Sequence, residues 1–415
     1  MDIQQSGAPV RRAALVFIFV TVAIDILAFG LIIPVLPHLI EGFLGGDVAR
    51  AAMWVGIFGT VYAAMQFAAA PVQGALSDRY GRRPVILLSS LGLGLDFFLM
   101  AVAQTLPLLL VARLISGVTA ASFTIANAYI ADVTPADRRA AGYGVVGAAF
   151  GLGFVLGPAL GGVLGDIDVR LPFYAAGGLA VLNFLYGWFV LPESLPPQRR
   201  STRLEWRHAS PLGAITLFRR HPQIVGLAAV AGLSAVAHYV LPSTFVLYAW
   251  HRYGWDIGTV GWVLAGVGVC SALVQGVLVG PAVRAIGERR TLLLGLCAGA
   301  AGFAIYGLAP DGRWFLLGIP VMALWGFASP ALQAMLTREV GSSEQGRLQG
   351  SLGSLASVAG IVGPLLFATT FATFIAPGSA VDLPGAAFLL ASGLLLLAAA
   401  VASVVTLSRA SRVTA

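Results

Sequence analysis

Three ionisable residues lie where the chain offers them little water. Asp25 sits in LVFIFVTVAIDILAFGLIIPVL, Asp96 in ILLSSLGLGLDFFLMAVA and Arg113 in LPLLLVARLISG. A charge at bilayer depth costs about 2.5 to 3.5 kcal/mol on insertion scales, so such residues usually mark an ion or substrate path. In a partly desolvated cavity, burial and a nearby guanidinium act on a carboxyl in opposite directions. A carboxyl so balanced can take up and release a proton. The sequence therefore predicts a proton-coupling set of Asp25, Arg113 and Asp96, with Asp25 and Arg113 as the working pair. A permanent structural ion pair is the plainer alternative. His238 could carry protons too, since its unperturbed pKa is near 6.5, or stay neutral and hydrogen-bonded. Gln66, Asn127, Gln275, Gln333 and Gln349 are hydrogen-bonding groups in apolar runs; they serve a substrate path or interhelical packing.

These groups need long apolar elements to hold them. Hydrophobic residues make up 58% of the 415 and charged residues 10%, against about a quarter charged in soluble domains. Spans of about 20 apolar residues cross a bilayer, and twelve fit between Ala13 and Leu407. The predicted fold is all-α, twelve transmembrane helices as two six-helix pseudo-repeats. The first run lacks an A-x-A cleavage site and reads as a retained helix, not a signal peptide. Asp25 and Asp96 each fall thirteen residues beyond an arginine, Arg12 or Arg83, that opens their span. That is about 20 Å of helix rise. Arg113, entering from the other side, reaches the same depth.

Arginines cluster at alternate connections, which by the positive-inside rule makes those connections and both termini cytoplasmic. All 25 basic residues are arginine. Without lysine there is no P-loop for nucleotide phosphates and no Schiff base. The net charge of +7 is not gathered on a soluble module, which argues against a nucleic-acid partner. The two cysteines, Cys270 and Cys297, lie in predicted helices, so disulfides and cysteine metal sites are not expected.

The turn GALSDRYGRRPV, Gly74 to Val85, returns as GPAVRAIGERR from Gly280, and Gly157-Pro158 returns as Gly363-Pro364. Both landmarks are displaced by 206 residues, as in transporters built from parallel repeats. The Pro- and Arg-rich stretch 192–222 is the natural linker, dividing the chain into bundles 1–191 and 223–415. In GVVGAAFGLGFVLGPALGG, the residues Gly144, Gly153, Gly157, Pro158, Gly161 and Gly162 allow close helix approach and a bend.

GALSDRYGRRPV resembles the signature loop between helices 2 and 3 of the major facilitator superfamily. The glycine pattern from Gly144 to Gly162 is similar to that superfamily's antiporter motif in helix 5. IDILAFGLIIPVLPHL, YAAMQ, LGLDFF, ARLISGVTAA, YIAD, HRYGW, PALQAML and QGRLQGSLGSLAS narrow the resemblance to the tetracycline/proton antiporters of the drug/proton antiporter group. It implies a cytoplasmic gate of Gly74, Asp78, Arg79, Gly81, Arg82, Arg83 and Asp132, in which Asp78, Arg82 and Asp132 form a breakable charge network. In the second copy Arg284 and Glu288 stand for Asp78 and Arg82, so a pair is expected with its signs exchanged. The resemblance also implies roles for Asp25, Asp96, Arg113, Gln66 and Gln275. It departs at Ser271 and Gly299, which stand where those exporters carry a histidine in helix 8 and an aspartate in helix 9. This leaves the metal-tetracycline substrate open.

The expected function is proton-coupled export of a tetracycline-like or other amphipathic drug by alternating access, from the bacterial inner membrane. The protein would act as a monomer in the lipid bilayer, with a small amphipathic substrate and a proton as partners. No enzyme activity, nucleotide or resident cofactor is expected, and a metal would enter only as a substrate chelate. Transport of a native metabolite keeps the same fold. A non-transporting receptor or membrane enzyme would need a constellation the chain does not display.

Overall fold

The structure, a computed structural model, describes residues 7–120, 122–134, 139–201, 217–341 and 344–413. The expectations for residues 202–216 of the linker, and for the Asn127 side chain, lie outside the described residues.

Apolar runs that cannot leave backbone amides unsatisfied in lipid form helices, and twelve spans can be followed among the described residues. We number them α1 (Gly7–Ile32, then after a turn Leu36–Phe43), α2 (Val48–Tyr80), α3 (Arg82–Val102) and α4 (Leu106–Thr119 and Ser122–Val133). They continue as α5 (Arg139–Ile167), α6 (Leu171–Val190) and α7 (Val225–His238 and Val240–Tyr253). The next, α8, runs from Ile257–Leu273 through a π-turn, Val274–Leu278, to Gly287. There a non-helical glycine (φ 78°, ψ 161°) separates it from α9 (residues 288–308) within the continuous stretch Val279–Leu308. The last are α10 (Gly312–Ala323, a 3-10 turn Leu324–Phe327, and Ala328–Arg338), α11 (Gln345–Ile375) and α12 (Ala386–Val413). The all-α twelve-helix expectation is met.

The helices cluster into two compact units. One holds the described residues of Met1–Phe43, Val61–Ala209 and Asp256–Ala265; the other holds those of Leu44–Thr60, Ser210–Trp255 and Gly266–Ala415. In the first, α1 packs on α5 and α6, and α3 on α4 and α6. In the second, α9 packs on α10 and α12, and α7 on α11 and α12.

Small residues explain why the first turns of α8 cluster with α5. A Cβ at Gly162 would lie 3.0 Å from the Gly261 Cα, and one at Gly165 would lie 2.8 Å from Ile257 Cγ2. At this junction the Gly258 amide donates to Asp166 Oδ1 at 2.8 Å, and the Thr259 amide donates to Asp256 Oδ1 at 2.7 Å. The first turn of α8 is thus capped twice, once by its own chain and once by α5. Hydrogen bonds from the Thr259 side chain and amide hold the Asp256 carboxyl below its usual range. The early turns of α2 meet α11 in the same manner. A Cβ at Gly59 would lie 2.8 Å from Pro364 Cβ, and Thr60 Oγ1 donates to the Ile361 carbonyl at 2.7 Å.

Candidate functional site

Asp25 is held on α1 by the glycines of α5. A Cβ at Gly153 would come 2.9 Å from the Leu27 amide, and one at Gly157 would come 2.6 Å from the Gly30 Cα. Gly161 abuts Leu31 in the same row. The two backbones touch, so this stretch of α1 lies directly against the glycine row. Gly144, the first glycine of the pattern, has open space where a Cβ would be, so close packing does not require it.

Asp25 is buried, with 9% exposure. Its partner is not Arg113, as the shared depth of the two suggested, but Asn183 on α6. Asn183 Nδ2 donates to Asp25 Oδ1 at 2.9 Å and to the Thr21 carbonyl at 3.1 Å. Asn183 Oδ1 is buried and has no hydrogen-bond partner among the described residues. An amide suits either form of a carboxyl, because its N–H donates to the carboxylate and its carbonyl accepts from the acid. The sequence signal was available: Asn183 is an amide in the apolar run GGLAVLNFLYGWFV. Nothing in the spacing linked it to Asp25, 158 residues away.

Arg113 is instead paired with Asp96. Its Nη2 lies 3.9 Å from Asp96 Oδ2, too long for a hydrogen bond, and donates to the Met100 sulfur at 3.0 Å. Its guanidinium also stands 5.8 Å from the Tyr62 ring centroid. Asp96 is fully buried and Arg113 is 5% exposed. Gly117, one turn beyond Arg113, brings α4 against α2: a Cβ there would fall 2.7 Å from the Tyr62 carbonyl oxygen. Gln66, half-buried, follows Tyr62 by one turn. The site thus holds one buried carboxyl with an amide partner and one with a cationic neighbour.

At the end of α2, Gly81 adopts φ 106°, ψ 160°, a region open essentially to glycine alone. The chain thereby reverses into α3 with no intervening loop. Arg82 Nη1 reaches Asp78 at 2.5 Å and donates to Ser77 Oγ at 2.6 Å, while its Nε donates to Asp132 Oδ2 at 3.1 Å. The structure brings the three expected network residues together. Arg79 and Arg83 stand outside it: Arg79 lies over the Tyr80 ring, and Arg83 donates to the Trp188 carbonyl. Gly74 serves through its carbonyl, which accepts from Ser77 Oγ at 2.8 Å.

Glu193 is a member that sequence reasoning missed. Its carboxylate accepts from the amides of Arg82 at 2.9 Å and Arg83 at 3.3 Å, capping α3. A side chain at Gly81 would occupy the place of this carboxylate. Ser194 Oγ adds a hydrogen bond to Asp132 Oδ2 at 3.2 Å.

In the second unit, Gln275 lies in the π-turn of α8 with its side chain exposed. His238 closes the first piece of α7. Gln333 is half-buried on α10, Ser271 half-buried on α8, and Gly299 buried on α9. At the α8–α9 turn, Arg284 and Glu288 do not pair with each other. Glu288 Oε1 meets Arg338 Nη2 at 2.7 Å.

Membrane-spanning helices with buried charges and a charged turn at the α2–α3 junction have the architecture of a membrane transporter. Residues 18–250 and 227–414 match the family model described as Major Facilitator Superfamily. The chain belongs to that superfamily, and within it to the family of the tetracycline resistance proteins. It is 39% identical to the class C tetracycline resistance protein of Escherichia coli, over 86% of this chain and 90% of that one. It is 36% identical to the class B protein of Escherichia coli, over 84% and 86%. Among solved structures, the human organic anion transporter MFSD10 (TETRAN) superposes with a TM-score of 0.70 at 26% identity, over 94% of this chain and 99% of that one.

Proposed function

We propose that the protein exports tetracycline-like or other amphipathic drugs in exchange for protons by alternating access, with Asp25 as the proton carrier. The observation that carries this reading is the neutral partner of Asp25. A carboxyl held by Asn183 has a donor for its charged form and an acceptor for its protonated form, whereas Asp96 has a cationic neighbour that favours the charged form alone. The relatives, tetracycline resistance proteins, support the substrate class. Asp25 also rides on the part of α1 that packs against the glycine row of α5, so a shift of one helix is felt at the other.

In this reading the protein lies in the bacterial inner membrane with both termini cytoplasmic, works as a monomer and needs no resident cofactor. Bundles 1–191 and 223–415 rock about the linker 192–222. The network of Asp78, Arg82 and Asp132 favours one of two packed arrangements and breaks in the other. A proton moving inward through 100 mV supplies about 2.3 kcal/mol. Each unit of pH difference adds about 1.4 kcal/mol.

The test is proton exchange in inverted membrane vesicles. An inside-acid gradient is imposed, tetracycline with magnesium or a panel of lipophilic cations is added, and dissipation of the gradient is followed. A compound-dependent loss that disappears in Asp25→Asn is expected. Equal responses in Asp25→Asn would remove Asp25 from the mechanism, and silence towards every compound would overturn drug export.

A further inference from the structure

Three breaks in regular α-helix meet at one place in the second unit. The two pieces of α7 part at Tyr239, α8 passes through the π-turn Val274–Leu278, and α10 passes through the 3-10 turn Leu324–Phe327. Such interruptions inside a helix frequently mark functional sites, and transporters bind substrate where spans are discontinuous. Val274, Ala323 and Phe327 form one buried apolar cluster, which fastens the π-turn to the 3-10 turn.

Trp325 of the 3-10 turn ties these segments together. Its Nε1 donates to Ser234 Oγ on α7 at 3.2 Å, and its ring lies 5.8 Å from the His238 ring. Phe303 of α9 packs edge-on against it at 5.5 Å. The indole has room because position 299 is glycine: a Cβ there would fall 2.8 Å from Trp325 Cγ. Next to it, the stem of Gln275 lies over Gly326, where a Cβ would be 3.2 Å from Gln275 Cγ.

The indole is therefore held in one orientation by a hydrogen bond, an aromatic edge and a missing side chain. The His238 and Gln275 side chains are exposed beside it, and neither hydrogen-bonds to another described residue. The cluster contains aromatic faces, one imidazole, one amide and one hydroxyl, and no carboxylate. That chemistry suits a flat ring system with polar groups at its edge better than a metal chelate, whose positive charge would find no carboxylate in the cluster to balance it.

We propose that Ser234, His238, Gln275 and Trp325 form the substrate-binding face of the second unit, taking a fused-ring aromatic compound by stacking on Trp325 and hydrogen bonding to His238 and Gln275 without a bridging metal ion. The assignment to substrate rests on the export reading above.

Binding to the purified full-length protein in nanodiscs tests the site apart from transport. Tetracycline and ethidium serve as probes, each in EDTA and again with magnesium. Trp325→Ala should weaken binding of at least one probe by about tenfold, and Trp325→Phe, which keeps an aromatic face, by about threefold or less. Gly299→Ala, which presses on the indole, should also weaken it. Trp262→Ala, at an exposed tryptophan in another part of α8, serves as the unchanged control. Affinity within twofold of wild type in Trp325→Ala, a strict need for magnesium, or no binding of either probe to the wild type would each overturn the proposal. Binding that depends on Trp325 without proton exchange in vesicles would remove the export reading and leave the site standing.

Discussion

The α2–α3 turn and the α8–α9 turn have nearly the same backbone and opposite electrostatics. Gly81 has φ 106°, ψ 160°, and Gly287 has φ 78°, ψ 161°. Arg82 reaches across to Asp132 in the first, and Glu288 to Arg338 in the second. Each of these positions is displaced by the same 206 residues. What the turn demands is a glycine conformation and a pair of opposite charges; which side is positive is free. The copies part company in two ways. Glu193 caps α3 in the first turn, adding a support to the charge pair. Deeper in the membrane, the positions matching Asp96 and Arg113 at that displacement are Gly302 and Ile319. Among the described residues, buried Asp, Glu and Arg belong to the first copy, while the second copy carries the neutral aromatic cluster at Trp325.

The sharpest way to break this division is at the centre of the first copy. Asp25→Asn should lower substrate-driven proton exchange by at least about a hundredfold, a loss typical of a removed proton-transfer group. Asn183→Leu, which strips the carboxyl of its amide, should lower it by about tenfold, measured as initial rates in vesicles. An Asp25-independent rate would put proton chemistry elsewhere.

The two turns can then be compared directly. Gly81→Ala must accept a conformation nearly closed to alanine and also displace the Glu193 carboxylate, whereas Gly287→Ala meets open space and pays only for the backbone. Thermal unfolding in detergent should place Gly287→Ala about 1 to 3 kcal/mol below wild type and Gly81→Ala lower still. Equal losses would mean that the Glu193 cap adds nothing to the turn.

Charge reversal probes the network more gently. Arg82→Glu and Asp132→Arg singly should impair transport, and the pair together should recover part of it, with a coupling of about 1 to 2 kcal/mol. Adding Asp78→Arg, so that the first turn carries the signs found at Arg284, Glu288 and Arg338, should recover more. The smallest effect is expected where α5 caps α8. Asp166→Ala should cost about 0.5 to 2 kcal/mol in thermal unfolding, and Asp166→Asn less, because an amide oxygen still accepts from Gly258.

Much of this was legible one span at a time. Long apolar runs gave the helices, and arginine spacing gave the alternating connections. GALSDRYGRRPV marked the turn and its charge network. The partners were harder to read, because depth along a helix says nothing about rotation around it. Asp25 and Arg113 share a depth yet pair with Asn183 and Asp96. Arg284 and Glu288 share a turn, yet Glu288 pairs with Arg338 and, among the described residues, not with Arg284. Glu193 was hidden in a polar stretch that reads simply as a linker. Trp325 was hidden among ordinary membrane aromatics, since the feature that admits it is the absence of a side chain at Gly299.

The sequence by itself determined the membrane class, the spans and the repeat, because the cost of placing polar groups in lipid is local to the chain. Only the tertiary structure decided which buried carboxyl has a neutral partner, what caps α3 and where three helix breaks converge. Those contacts join residues tens to hundreds of positions apart, and they depend on how each helix is turned about its own axis, a quantity set by packing against its neighbours.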